Sequence, residues 1–490
     1  MCELHGIPCA GNCLDPDILL ISVNAGYIHA NGGLRWLMAN LQELEPRAGL
    51  LEGTRRLGVE ALARAAAGLQ PAIIGVSVAI WNHAESRELL ALLRGLLPAV
   101  VLVVGGPEAS YLPADHALFE HVDVLIRGEA ETAFAQLCRE RLAVGAGVAG
   151  GEVAAGDGGA RDGGAGVGRG LHIIDAGRGG LDRLILPYDR LQDGDLAHRL
   201  LYIETSRGCP FRCEFCLSSV QGKVREFPLE PVLQQVRRLY ERGGRFFKVI
   251  DRTFNLDIQR AERTLEVFLE LLSSGKNPGA YVQFEVVPDR LPLQLRQIIS
   301  RFPPESLRLE VGIQTFNQEA AARINRRQNQ ERSLKNLRFL LQETHAVIHA
   351  DLIIGLPGED VESFAKGFDR LWQLSPQEIQ LGVLKALPGT TLHRHDEQWG
   401  MQYNPEAPYE ILQTAHIPRQ QMDALKLAAK YWELIVNRGR YPQLVEQLFP
   451  KQPGSFMKLL ELSTWLYSRL GRSWGIDANT MRNLLIEYSS

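Results

Sequence analysis

The sequence predicts an α/β chain: a Rossmann-like, doubly wound N-terminal domain, then a partial (β/α)6 barrel, then a helical C-terminal domain. Three observations predict it. Between residues 18 and 130, continuous runs of aliphatic and β-branched residues alternate with helical stretches, the pattern of a parallel sheet covered on both faces. From about residue 198 a second, longer series of strand-then-helix repeats begins. After Pro388-Gly389-Thr390 the pattern turns helical and aromatic, and Tyr431, Trp432, Trp465 and Tyr467 are expected to pack a helical domain.

A chain of 490 residues is too long for one ordinary core. The expected divisions are a tail over 1–15, a ligand domain over 16–142, a linker over 143–195, a barrel over 196–390 and a helical domain over 391–490. The linker contains the glycine-rich stretch 145–170, whose composition cannot bury a core. A formal net charge of −4 gives no global electrostatic case for a nucleic-acid partner. No apolar run is long enough to span a bilayer, and the start, Met1 to Cys9, lacks the basic-then-apolar order of a secretory signal. Seven cysteines in such a chain point to a reducing cytoplasm, where thiols serve metals or catalysis. Cys2, Cys9 and Cys13 are read as incidental thiols of a frayed terminus, with metal binding as the alternative.

In the first domain, Ile18–Val23, Ile73–Val78, Val100–Val104 and Val122–Ile126 read as buried strands, and 33–44 as a helix. Ligands of open α/β sheets bind beyond the carboxyl ends of the strands. The ligand-facing loops are therefore 24–33, the segment after Val78, 105–108 and 128–131. Their glycines allow close approach, but none forms a GxGxxG fingerprint, which disfavours a dinucleotide.

In the second series, the strands are 200–205, 246–251, 281–287, 307–314, 347–354 and 378–385. Helices are expected over 228–240, 260–272, from about 292, in 317–343, and over 361–373. Six such units fall short of the eight of a closed barrel. Helices are also expected over 425–436, 444–449, 455–470 and 479–488.

The loop after the first strand of this series holds Cys209, Cys213 and Cys216 at a C-x3-C-x2-C spacing. A [4Fe–4S] cluster is normally held by four thiolates. Three in one loop leave one iron open to a substrate or cofactor. A structural zinc site would favour paired C-x2-C units or histidines. A disulfide would need an oxidising compartment and partnered cysteines.

With the triplet, Gly312-Ile313-Gln314 and the stretch from Asp351 to Glu359, the chain resembles the radical S-adenosylmethionine (radical SAM) superfamily. Within it, the chain is similar to the class with an N-terminal cobalamin (B12)-binding domain. The resemblance covers roughly residues 15–390, and the C-terminal part resembles a domain of uncharacterised function that accompanies this subgroup. It implies a [4Fe–4S] cluster, SAM and cobalamin as cofactors, and a flavodoxin- or ferredoxin-type electron donor. By resemblance Phe215 lies near the adenine. Asp251, Glu285 and Gln314 sit at strand ends near polar SAM groups, Arg326 or Arg327 pairs with the SAM carboxylate, and Ile353 and Gly355 pass beside the adenine. Leu384 and Lys385 lie at the last strand's end. Alternatives stay open: Asp251 and Glu285 as ion-pair partners of Lys248 or Arg252, the two arginines as solvated helix charges, and Glu359 as a helix cap. For cobalamin, Asn24, Tyr27, Gly105, Gly106 and Glu129 are the contact candidates. His29 is the nearest axial candidate, because the D-x-H-x-x-G motif is absent.

The implied function is reductive cleavage of SAM to a 5′-deoxyadenosyl radical, used for cobalamin-assisted C-methylation of a small-molecule or other substrate. One alternative keeps these cofactors for a non-methylating rearrangement or cyclisation. Another is a cobalamin or redox sensor without turnover. No catalytic side chain is singled out.

Overall fold

The computed structural model describes residues 2–4, 7–145 and 170–489, and the chain forms two compact units, Met1–Leu201 and Tyr202–Ser490. All but the end residues of the glycine-rich stretch 145–170 lie outside the described residues.

The first unit contains strands β1 (Cys2–Leu4), β2 (Ile7–Gly11), β3 (Ile18–Asn24), β4 (Ala48–Thr54), β5 (Ile73–Ser77), β6 (Val101–Gly105), β7 (Val124–Arg127) and β8 (His172–Asp175). They make one sheet in the order β1-β2-β4-β3-β5-β6-β7-β8. From β4 to β8 the pairs are parallel, and β1 and β2 add antiparallel at one edge. Ile21, Ile74, Val76 and Leu102 face one core, while Leu20, Ile73, Val103 and Val124 face the other. A strand buried on both faces cannot alternate in polarity, which is why these runs read as continuously apolar.

Three departures from the sequence reading follow from pairing. The segment 1–15 is not frayed at 7–11. There β2 joins β4, and Cys9 and Cys13 are buried, with the Cys13 thiol 3.0 Å from Ala10 O. The segment 143–195 contributes β8, whose main chain extends the sheet beside β7. Strand β4, Ala-Gly-Leu-Leu-Glu-Gly-Thr, carries two glycines and a glutamate, so its composition hides it.

That glutamate, Glu52, is buried at the centre of an ionic network. It accepts from Arg35 Nη2 (2.8 Å), Arg199 Nη1 (2.6 Å), Asn24 Nδ2 (3.0 Å) and Asn31 N (2.6 Å). Asp195 pairs with the same two arginines at 3.2 and 3.3 Å. Although burial works against it, the two guanidinium charges hold the Glu52 carboxyl down at about 2.

Strand β9 (Leu200–Ile203) runs across the boundary into the second unit, where β10 (Ser206–Arg207), β11 (Arg225–Glu226), β12 (Phe246–Val249), β13 (Tyr281–Val286), β14 (Leu307–Gln314), β15 (Val347–Ile354), β16 (Glu378–Val383), β17 (Gln402–Tyr403) and β18 (Ile411–Gln413) follow. The six-stranded sheet runs β16-β15-β14-β13-β12-β9 in space, with parallel pairs from β12 through β16. Helices 229–241, 258–273, 293–299, 318–323 with 330–343, and 361–372 follow successive strands. Each of β14 and β15 alternates buried and half-buried residues. Their aliphatic side, Leu307, Leu309 and Val311 on β14, is buried. The other side carries Arg308, Glu310, Gly312 and Gln314.

The C-terminal helices belong to this unit. Trp432 is buried, with Phe368 and Trp372 edge-on to it at 4.8 and 5.1 Å, and its indole N–H donates to Ile379 O of β16 at 3.0 Å. Trp372 reciprocates by donating to Phe449 O at 2.9 Å. Trp465 packs against Tyr488 with the rings tilted, centroids 5.2 Å apart. Tyr467 differs from expectation and lies exposed. Among the described residues no helix is long and apolar enough to cross a membrane.

Candidate functional site

The cysteine loop begins where β9 ends. Asp251, just beyond β12, accepts from Thr205 N (2.8 Å), Ser206 N (3.1 Å) and the Thr205 hydroxyl, which fixes the chain as it leaves β9. Gly208 has φ +98°, and a Cβ there would stand 2.7 Å from Lys223 O, so the entry to the loop requires glycine. The short antiparallel pair β10–β11 flanks the loop, and Cys209 N donates to Gly222 O at 3.2 Å. On the far side Glu214 N donates to Ile324 O (3.1 Å) and Asn325 Nδ2 to Arg212 O (3.1 Å).

The three cysteines share one cavity of about 190 Å³ at the carboxyl ends of the barrel strands. Phe211, Phe215, Val286 and Val287 supply its apolar lining. Arg252, Glu285, Glu310, Gln314, Arg326 and Asp351 are its principal polar groups. Burial pushes the Cys209 thiol up to about 11 and raises Cys213 as well, the latter opposed by the Arg326 guanidinium. Arg326 Nη1 lies 3.7 Å from Cys213 Sγ, its Nη2 donates to Gly312 O and its Nε donates to Gln328 Oε1 at 3.3 Å. A register shift between Gly312 and Gln314 ends β14, with Gln314 at φ +69°. A Cβ at Gly312 would stand 2.6 Å from Gln314 Nε2 and 3.1 Å from Arg326 Nη2, so the bare backbone leaves room for both polar groups.

Asp351 has a buried carboxylate oxygen without a hydrogen-bond partner. Burial, then the like charges of Glu310 and Glu285, push its carboxyl up to about 8. Glu310 is paired with Lys248 at 2.8 Å and Glu285 with Arg252 at 3.1 Å. Register sets these groups side by side: Glu285, Glu310 and His349 are neighbours on β13, β14 and β15, with Gly312 and Asp351 one step further along.

Of the residues expected at this site, the cavity brings together Cys209, Cys213, Cys216, Phe215, Glu285, Gln314, Arg326 and Arg327. It does not include Asp251, Ile353 or Gly355. Asp251 is buried under the Thr205–Ser206 turn, and Gly355, at φ +90°, is closed in by Ile411 and Met422. Glu285 takes the Arg252 partner offered as its alternative, whereas Asp251 forms neither expected ion pair. Glu359 does not cap a helix, since Asp360 does so by accepting from Ser363 N at 2.7 Å. Glu359 instead accepts from Thr315 Oγ1 at 2.6 Å with its second oxygen unpaired, and burial pushes its carboxyl up to about 7. Asp351 and Glu310 were missed as site residues. Alternation along β14, and the two-residue spacing of His349 and Asp351 within the aliphatic β15, was the signal that puts them on the side opposite the buried one.

The donor set fits an open cluster. Among the described residues three thiols and no fourth cysteine line the cavity, and a guanidinium stands beside one sulfur. Among the described residues no three His, Cys, Asp or Glu side chains form a site for a single metal ion. A four-iron cube seats each thiolate on a different iron, farther apart than the ligands of one ion.

At the carboxyl edge of the first sheet, the expected cobalamin residues fall into two groups. Asn24 is engaged: it donates to His29 O (2.8 Å) and Glu52 and accepts from Ser22 Oγ (2.8 Å). Gly106, at φ +112°, packs on Val78 O. Gly105 ends β6, and Glu129 N donates to Gly177 O at 3.4 Å. Tyr27 after β3 is 39% exposed and His29 half-buried, and beside them Ile28 and, after β5, Trp81, neither of them expected from the sequence, are 43% and 52% exposed. Exposed apolar rings and aliphatic groups on ligand-facing loops suit a large flat macrocycle.

Matches to known families fall on three successive parts of the chain. Residues 203–371 match the radical SAM superfamily, residues 18–138 the B12 binding domain, and residues 397–489 a protein family of unknown function. The chain thus carries a radical SAM domain, preceded by a B12-binding domain and followed by a domain of unknown function. The cofactors of these domains are a [4Fe–4S] cluster, SAM and cobalamin. Among curated relatives it is 26% identical over 68% of its length to the 2-(S-pantetheinyl)-carbapenam-3-carboxylate methyltransferase of Streptantibioticus cattleyicolor, covering 50% of that protein. It is 26% identical over 70% of its length to the cobalamin-dependent radical SAM methyltransferase TokK of Streptomyces tokunonensis, covering 51% of it. The chain thus spans about half the length of these relatives. The radical SAM methyltransferase TsrM of Kitasatospora setae, solved with cobalamin and a [4Fe–4S] cluster bound, shares the fold at a TM-score of 0.59. That match has 19% identity and covers 79% of this chain and 80% of TsrM.

Proposed function

We propose that the chain is a B12-dependent radical SAM enzyme that C-methylates a small-molecule substrate. The observation that carries the reading is the cavity lined by three cysteines and no fourth, with an unpaired acid and a guanidinium on its walls. When bound, the cluster and SAM supply a 5′-deoxyadenosyl radical by reductive cleavage, and cobalamin supplies a methyl carrier.

In this reading Cys209, Cys213 and Cys216 hold the cluster, and Arg326 offsets negative charge at Cys213 while offering a fork to a carboxylate. Phe215, Phe211, Val286 and Val287 exclude water and stray hydrogen donors. Asp351, Glu285 and Gln314 orient the polar groups of SAM, with Asp351 able to donate a proton in a hydrogen bond near neutral pH. Asp251 acts one step back, by fixing the start of the cysteine loop. Ile353 and Gly355, outside the cavity wall, support the strand beside the adenine. In the first domain Tyr27, His29, Gly105, Gly106 and Glu129 face cobalamin, and Asn24 stiffens the loop that presents them. A cluster of this kind needs a low-potential donor, so a ferredoxin- or flavodoxin-type partner and a reducing, cytoplasmic setting follow.

Anaerobically reconstituted protein given SAM with a labelled methyl group tests the reading. Label in product, with both 5′-deoxyadenosine and S-adenosylhomocysteine formed, supports C-methylation. 5′-Deoxyadenosine without S-adenosylhomocysteine would assign the same cofactors to a rearrangement or cyclisation. No cleavage, with cobalamin bound, would favour a sensor.

A further inference from the structure

The residue between Cys213 and Phe215 is Glu214, and its carboxylate is 3% exposed. A buried carboxylate is stable only when paired. Its partners come from beyond the barrel, in the short helical turn Leu392–His395 that follows the last strand. His395 Nε2 lies 2.8 Å from Glu214 Oε2, and a guanidinium nitrogen of Arg394 meets Oε1. His395 is itself buried, while Arg394 is 60% exposed, so the histidine is the partner shielded from solvent. Glu214 N is held separately by Ile324 O, so main chain and side chain of this residue are anchored on different elements.

We propose that Glu214 is a positioning residue for the iron–sulfur loop, and that His395 and Arg394 hold it there. The segment leading into the C-terminal domain of unknown function thereby sets the geometry of Cys213 and Cys216. This inference rests on the reading of the triplet as cluster ligands. Removing His395 leaves a buried carboxylate beside one solvated guanidinium, and the loop must then shift to hydrate it.

The test uses the full chain, reconstituted anaerobically with iron and sulfide alone. Iron per chain, the reduced-cluster EPR spectrum and the midpoint potential are read together, with the thermal midpoint as the check of folding. H395A is expected to lower iron about threefold and to change the EPR line shape and potential of what remains. H395Q keeps a nitrogen donor near the Nε2 position and should restore all three. E214Q/H395A, which removes the buried charge with its partner, should recover iron relative to H395A. If H395A itself fails to fold, H395Q and E214Q/H395A decide. Wild-type iron, EPR and potential in H395A would overturn the proposal, as would an H395Q chain as depleted as H395A, which makes His395 a packing residue. A wild-type chain that takes up no iron would instead overturn the cluster reading.

Discussion

The carboxyl edges of the two sheets are built from similar parts to opposite ends. At the edge of the first sheet the polar groups are already engaged. Asn24, Glu52, Arg35 and Arg199 bond one another, and the His83 ring meets Glu108 at 3.0 Å. Three large apolar or aromatic side chains remain exposed there: Tyr27, Ile28 and Trp81. At the edge of the barrel sheet the three thiols line one cavity, and Asp351 retains an unpaired buried oxygen. A site for charged ligands needs polar groups left unsatisfied and held in place. A platform for a large flat ligand needs a rigid loop with an apolar face. Polar satisfaction therefore separates scaffold from site more sharply than residue type does.

The largest expected effect is at the barrel edge: Cys213→Ala should reduce SAM cleavage by more than about a thousandfold, measured as 5′-deoxyadenosine formed. Cobalamin uptake by the same protein should persist, and its loss would deny that the two edges are separate sites.

At the first edge, Glu52→Ala leaves two buried guanidinium groups without their common acceptor. Stability of the first unit should fall by about 3–5 kcal/mol in denaturant unfolding. A change under about 1 kcal/mol would mean that this network is not scaffold.

Glu359 provides a pH-dependent case within the second unit. Its carboxyl is raised to about 7 from an ordinary 4.5, so the folded state keeps a proton that the unfolded chain releases. Stability should decline as pH climbs from about 4.5 to 7 and then level off. Glu359→Gln retains an acceptor for Thr315 and carries no charge. It should flatten that slope and add up to about 3 kcal/mol above neutral pH. A variant with an unchanged pH profile would show that Glu359 is ionised in the fold.

The smallest effect is expected at Asp351. Raised to about 8, it is mostly protonated at neutral pH, so Asp351→Asn resembles the native form there. SAM affinity by calorimetry should change less than about twofold at pH 7 and diverge from wild type as the pH passes 8. A large loss already at pH 7 would make the ionised carboxylate the binding form.

Much of this was legible in the chain itself. Strand β14 alternates along its whole length and β15 is an aliphatic run interrupted by His349 and Asp351, and their predicted limits, 307–314 and 347–354, coincide with those observed. The helix 455–470 is likewise as read, because an apolar stripe at helical spacing is a local signal. The cysteine spacing is covalent and needs no fold to be seen. Strand β4 was hidden by its glycines and Glu52, whose burial depends on arginines 17 residues before it and 147 residues after it. Strand β8 was hidden by the glycine-rich neighbourhood, since a four-residue strand is defined by its partner rather than its composition.

By itself the sequence determined the chemistry at hand: three thiols in one loop, the periodicities of two α/β units, and a helical end. Tertiary structure alone decided which polar groups remain available. Asp251 faces the turn after β9 rather than the cavity, Asp351 is left with an unpaired oxygen, and Glu214 is met by His395 from 181 residues away. The reason is physical. Spacing and periodicity are properties of neighbours along the chain, whereas desolvation and pairing are set by what lies across space, and those two terms fix a side chain's charge and its freedom to bind.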